Sequence, residues 1–192
     1  MMDLRELARS IIPPSRYGEI RGEVVEAVAK YKQYRYLDVG RLTLLFEDAV
    51  TVWFQIEEAL YMEGEEGEEL VREAVEAYRP IVPRRGEASI TLMVNIYDEG
   101  ELRGLLPKYA GIQNAVSLIF DGREVEARPV FPEDYAEGAL PRTIHYLKAP
   151  LLEGGPAAIA LRHPMASSVV QLSRDAISAI RSSMTAEETD WA

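Results

Sequence analysis

Residues 42 to 63 read LTLLFEDAVTVWFQIEEALYME, and they decide the fold because the character of the chain changes halfway along them. Leu42, Thr43, Leu44, Leu45 and Phe46 form an apolar, β-rich run; with Tyr36 to Val39 on the far side of Gly40 it predicts a hairpin or a bent strand. Asp48 then stands where a helix N-cap belongs, ahead of a helix predicted from Ala49 to Glu63. On that helix Val50, Trp53, Phe54, Ile56, Leu60 and Tyr61 cover more than half the circumference, so it is expected to be buried on two sides, against a sheet and either a second helix or a second subunit. The second-subunit option makes a homodimer the expected assembly.

Working toward the N-terminus, Pro13 and Pro14 precede a helix predicted from Tyr17 to Gln33, with Ile20, Val24, Val25, Val28 and Tyr31 on one stripe. In the other direction an acidic break, Gly64 to Gly67, reads as a solvated loop before a third helix, Glu68 to Tyr78, closed by Pro80 and Pro83. From Ala88 the period becomes two: Ala88, Ile90, Leu92, Val94 and Ile96 alternate along a strand. A short helix from Asp98 to Lys108 follows. Strands at Ala115 to Phe120 and Arg123 to Val130 are joined by Asp121-Gly122, a two-residue hairpin signal. Further strands are expected at Thr143 to Lys148, Ala157 to Arg162 and Ser168 to Gln171. Ser173 is placed to cap a last helix running to Met184. The expected architecture is α+β, with helices packed on a mainly antiparallel sheet, a helix-rich first half and a strand-rich second half. One domain is expected over residues 1–184, followed by a flexible tail over 185–192.

Composition narrows the chemistry. With no cysteine in the chain, disulfides, thiolate nucleophiles and cysteine-ligated zinc or iron–sulfur sites are excluded. The formal net charge of -11 repels a phosphate backbone, and the short basic clusters at Arg84-Arg85 and at Lys30, Lys32 and Arg35 do not reverse that field, so no nucleic-acid partner is expected. No stretch approaches the roughly 20 apolar residues of a membrane span, and the start lacks the apolar core of a signal peptide, which points to a cytoplasmic protein without membrane attachment. The two asparagines and four glutamines, beside abundant Glu and Arg and 11 prolines, make a mixture that heat-adapted proteins favour.

No Walker loop, dinucleotide fingerprint or nucleophile elbow is present, so no catalytic residue is assigned. The candidates for binding lie on the Ala49 to Glu63 helix, where Thr51, Gln55 and Glu58 line one ridge beside apolar bulk that would partly enclose them. His163, followed by Pro164 at a strand end, is the fourth candidate ligand-binding residue, whereas His145 reads as a half-buried strand residue. Glu47, Glu58 and His163 would make a two-carboxylate, one-histidine set of the kind that holds iron or manganese, with zinc as a further option. The bland reading of the same ridge is structural hydrogen bonding.

The pieces LTLLFE at Leu42 to Glu47, TVWFQIEEAL at Thr51 to Leu60 and the His163-Pro164 pair together resemble a prokaryotic family catalogued as a domain of unknown function. The likeness runs from the Tyr17 helix to the helix after Ser173, and it departs from the family pattern at Asp48, Ala49 and Met165. The resemblance implies genes encoded near rubrerythrin-like and iron–sulfur oxidoreductase proteins, and so a part in redox or oxidative-stress physiology. The expected function is that of a non-catalytic accessory or binding protein with a redox partner. The alternatives are a metal-dependent enzyme at Glu47, Glu58 and His163, and a small-ligand sensor at the Thr51-Gln55-Glu58 ridge.

Overall fold

The computed structural model of the protein describes residues 2–64 and 67–191; Met1 and Ala192 lie outside the described residues, as do Glu65 and Glu66, the middle of the acidic break read as a loop. The chain packs as two compact units that interleave in sequence. One draws on Met1–Tyr34, Glu47–Arg85 and Ser183–Ala192, the other on Arg35–Phe46 and Gly86–Ser182.

The first unit is helical: α1 (Leu4–Leu7), α2 (Pro14–Lys32), α3 (Ala49–Glu63) and α4 (Glu68–Tyr78). Helix α2 starts at Pro14 rather than Tyr17, because a proline in the first turn lacks only an N–H that no helical acceptor would use. Helix α3 keeps its expected limits for a local reason. Asp48 accepts from the Thr51 amide at 3.0 Å while the Thr51 hydroxyl accepts from the Asp48 amide at 2.9 Å, a reciprocal cap, and Gly64 at φ 69° ends the helix in the left-handed region. The wide apolar surface of α3 is met inside this unit by α1, α2 and α4. Trp53 is fully buried, with the Tyr17 ring set edge-on at 6.3 Å.

The last residues of the chain differ from the frayed tail read from their polarity. Ala186–Glu188 forms a 3-10 turn, and Trp191 is buried with its indole N–H donating to the Ala8 carbonyl at 2.8 Å. Arg79 in turn donates to the Trp191 carbonyl at 2.9 Å. One large aromatic ring outweighs the polar residues around it, because its burial removes far more apolar area than theirs exposes.

The second unit holds two antiparallel sheets rather than one. The five-stranded sheet runs β1 (Tyr36–Val39), β2 (Leu42–Glu47, whose last residue belongs to the first unit), β3 (Glu87–Val94), β7 (Ile144–Pro150) and β6 (Arg128–Pro129). The four-stranded sheet runs β5 (Arg123–Glu126), β4 (Val116–Phe120), β8 (Ala158–His163) and β9 (Ala166–Gln171). The single strand expected over Arg123 to Val130 is the point of division. Up to Glu126 it pairs with β4, and from Arg128 it pairs with β7. Ala127 between them is 3% exposed, and its amide still donates to Val116 while the Val130 amide donates to Tyr146. A small buried residue turns the corner there, and Pro129, which has no N–H to give, keeps β6 to an edge. The Asp121-Gly122 turn has φ of 34° and 79°, the two positive values a tight hairpin needs.

Leu42, Leu44 and Phe46 of β2, Ile90 and Leu92 of β3, Leu118 of β4, Leu147 of β7 and Ile159 of β8 share one apolar core. Along β7, His145, Leu147 and Ala149 are the buried members of the alternation, so His145 takes a core-facing position. Helix α5 (Glu99–Leu105) leads into 3-10 turns at Leu106–Tyr109 and Ile112–Asn114, and α6 (Arg174–Arg181) ends at Arg181 rather than Met184. The Arg35 guanidinium, 2% exposed, donates to the carbonyls of Phe46 and Ala179 and so links the end of β2 to α6. Among the described residues no helix is long and apolar enough to cross a membrane.

Candidate functional site

The α3 ridge is assembled as a closed hydrogen-bond network. The Thr51 hydroxyl, fully buried, donates to one oxygen of Glu47, and the Gln55 amide donates to the other at 3.0 Å, so the Glu47 carboxylate, 2% exposed, has both oxygens engaged. Tyr31 of α2 donates its hydroxyl to Asp48. One turn further on, Glu58 accepts from the Tyr17 hydroxyl at 2.8 Å and from two nitrogens of Arg21 at 2.9 and 2.7 Å. Burial would raise the Glu58 carboxyl, but these donors hold it below the usual carboxylate range. The Lys32 ammonium lies 4.9 Å above the Phe54 ring; burial lowers it from the ordinary lysine value, against the pull of Glu47, Asp48 and Glu58. Glu57 differs from all of these. Its Oε1 accepts from the Ile12 amide at 2.8 Å, its Oε2 has no partner among the described residues, and burial pushes its carboxyl up to about 7.

Glu47 and Glu58 belong to the first unit and His163 to the second, and among the described residues no group of three or more His, Asp or Glu side chains stands close enough to hold an ion. His163, at the end of β8, is 9% exposed and has both ring nitrogens engaged. Nδ1 accepts from the Met165 amide at 3.2 Å, so Nε2 carries the proton and donates to the Ala110 carbonyl at 3.0 Å. The ring stacks on Tyr109 at 6.1 Å. His163 therefore braces Tyr109 and Ala110, and both of these line a pocket of the second unit.

That pocket is the better candidate. It has a volume of about 180 Å³ and takes its walls from the turns after α5, the 3-10 turn Pro132–Tyr135 and the start of β7, with Leu106, Tyr109, Gln113, Tyr135, Arg142 and His145 among the lining side chains. His145 is 4% exposed. Its Nδ1 pairs with the Tyr135 hydroxyl at 2.9 Å, and the two rings stack at 5.7 Å. Its Nε2 is buried without a hydrogen-bond partner among the described residues. Burial pushes His145 down to about 4, and the Arg142 backbone opposes that shift only in part. Burial also pushes the Tyr135 phenol up to about 12. Near neutral pH both groups are uncharged, so the imidazole is a hydrogen-bonding partner rather than a proton carrier. Gln113, 9% exposed, adds an amide with no side-chain hydrogen bond among the described residues. Arg142 is paired with Asp134 at 2.7 Å.

Sequence reasoning chose His163 and passed over His145 and Gln113. A signal for His145 was present: once Leu147 and Ala149 are taken as inward on β7, parity places His145 on the same face. Gln113 lies in a 3-10 turn with no period to read.

Comparison with known proteins agrees with this architecture. The chain is similar to a novel protein of unknown function from Burkholderia pseudomallei, known from its crystal structure, with a TM-score of 0.82 and 25% sequence identity over 94% of this chain and 96% of that one. Among curated proteins none matches. The family model described as "Protein of unknown function (DUF3501)" matches residues 7–184, and the chain belongs to that family.

Proposed function

We propose that this protein binds a small molecule in the pocket beside His145 and acts as a non-catalytic accessory protein in redox or oxidative-stress physiology. The observation that carries the binding claim is a buried imidazole nitrogen with no partner, on the wall of a cavity of about 180 Å³. A buried polar atom left unpaired costs about 1–3 kcal/mol, and a ligand that pairs with it removes that cost. The α3 ridge supports the same choice from the other side, because its polar groups are already engaged with one another. The redox setting rests on the resemblance carried by Leu42 to Glu47 and Thr51 to Leu60, with a rubrerythrin-like or iron–sulfur protein as the macromolecular partner. A cytoplasmic homodimer completes the proposal, and sedimentation at micromolar concentration checks the dimer.

The binding claim is tested by thermal denaturation against a panel of monocyclic metabolites, using wild type and His145→Phe side by side. Phenylalanine keeps the stack on Tyr135 and removes both nitrogens. A concentration-dependent rise in Tm for wild type, absent in the variant, is the expected result. A rise of equal size in both would place binding elsewhere.

A further inference from the structure

The pocket beside His145 offers a ligand hydrogen bonds but no net charge. Resting on the reading of this pocket as the binding site, we infer that its ligand is an uncharged, flat ring bearing a carboxamide or lactam group, and that the carboxylate and ammonium counterparts of the same ring are rejected.

Three features of the wall lead there. The charged side chains lining it, Asp134 and Arg142, are paired with each other at 2.7 Å, which leaves neither a free guanidinium for an anion nor a free carboxylate for a cation. An ionised ligand would thus give up its hydration without a counter-charge, the costliest form of burial. The polar atoms without partners are the imidazole Nε2 of His145 and the amide of Gln113. An amide presents one donor and one acceptor. Gln113 supplies the same pair, and the imidazole supplies either role according to which nitrogen takes the proton in its bond with Tyr135. The remaining wall is flat and apolar: the Tyr109 and Tyr135 rings, each stacked on a histidine, with Leu106, Leu140 and Pro141. Stacked rings present a rigid face, which suits a planar ligand.

Ala136 to Arg142 is exposed along its length, with Leu140 at 84%, and it carries no strand or α-helix. This strap is held from its ends by the Asp134–Arg142 pair, whose side chains are 28% and 46% exposed. Such a pair is weak. Nε2 is buried in this structure, displacing the strap is the proposed route to it, and the Asp134–Arg142 pair closes again behind the ligand so that neither charge is left free.

The test uses three probes with one ring and different charge, benzamide, benzoate and benzylamine, titrated into the full-length protein at pH 7.5 by isothermal calorimetry, with His145 and Gln113 side-chain resonances followed by NMR. Benzamide is expected to bind at least about ten-fold more tightly than either charged probe and to shift both side chains. The variant Gln113→Met, with an unchanged Tm, is expected to weaken benzamide about ten-fold; it keeps the test usable should His145→Phe fold poorly. Equal or tighter binding of benzoate or benzylamine at His145 would overturn the ligand class and leave the pocket as the site. Silence of all three probes, while the thermal panel yields a His145-dependent binder, would also overturn the class. Silence in both experiments would remove class and site together and leave the cavity to water.

Discussion

The α3 ridge and the His145 pocket both bury polar side chains, and they do so with opposite outcomes. On the ridge Glu47, Thr51, Gln55 and Glu58 answer one another or answer Tyr17 and Arg21. Beside the pocket a buried histidine nitrogen has no partner, and the side-chain amide of Gln113 on the wall has no hydrogen bond among the described residues. The difference teaches that burial of polar chemistry does not by itself mark a site. A satisfied network in a low-dielectric interior specifies one arrangement of α2 against α3. An unsatisfied group beside space for a ligand is a stored preference for binding. Glu57 is a third case: an unpaired carboxyl oxygen away from the His145 pocket, whose chemistry is a protonation.

The comparison breaks most visibly at Thr51→Val, which strips Glu47 of a donor and the Asp48 amide of its acceptor in one step. A loss of about 3 kcal/mol in urea denaturation is expected, since both abandoned groups are buried. A loss below about 1 kcal/mol would mean that the ridge is not structural. Glu57→Gln sharpens the third case. With a folded value near 7 above the ordinary 4.5, the native state holds the Glu57 proton more tightly than the unfolded chain does. The associated stability is complete below about 4.5 and is lost as pH rises through about 7, a difference of up to about 3 kcal/mol. The variant is therefore expected to be about 2 kcal/mol more stable than wild type at pH 8 and no more stable at pH 5. Equal effects at the two pH values would show that Glu57 does not titrate in this range.

His145→Phe carries a smaller stability effect, within about 1 kcal/mol at neutral pH, because the stack on Tyr135 survives. The sign of its pH dependence is opposite to that of Glu57. With the folded value near 4 below the ordinary 6.5, the stability linked to the neutral ring is present above about 6.5 and lost as pH falls through about 4. The variant should lack that acid-side slope in a series of melts from pH 7 to pH 4. The smallest effect is expected for Arg142→Met, about 0.5 kcal/mol or less, because its ion pair with Asp134 is largely solvated. A cost above about 1 kcal/mol would mean that the strap is locked rather than displaceable.

Much of this fold is legible in the sequence where one local rule decides. Asp48 and Gly64 set the ends of α3, and Asp121-Gly122 sets the β4–β5 turn. Where a tertiary partner decides, the sequence is silent. The division of residues 123–130 between two sheets hinges on the burial of Ala127, which no period reveals, and the anchoring of the chain end hinges on Trp191 meeting Ala8. The site is harder still to read. Ridge residues Thr51, Gln55 and Glu58 announce themselves by helical spacing, yet spacing does not show that Glu47, Tyr17 and Arg21 already occupy them. Parity along β7 shows that His145 points inward, but the cavity beside it is made by irregular turns.

The most direct test of the central claim uses the chain's two histidines as opposite reporters. Their imidazole nitrogens are followed by long-range proton–nitrogen NMR, assigned with His163→Asn, while benzamide is added to saturation. The expected result is a shift at Nε2 of His145 with His163 unmoved, since His163 is engaged at both nitrogens with Ala110 and Met165. An unmoved His145 in protein that calorimetry shows to be saturated would contradict the claim.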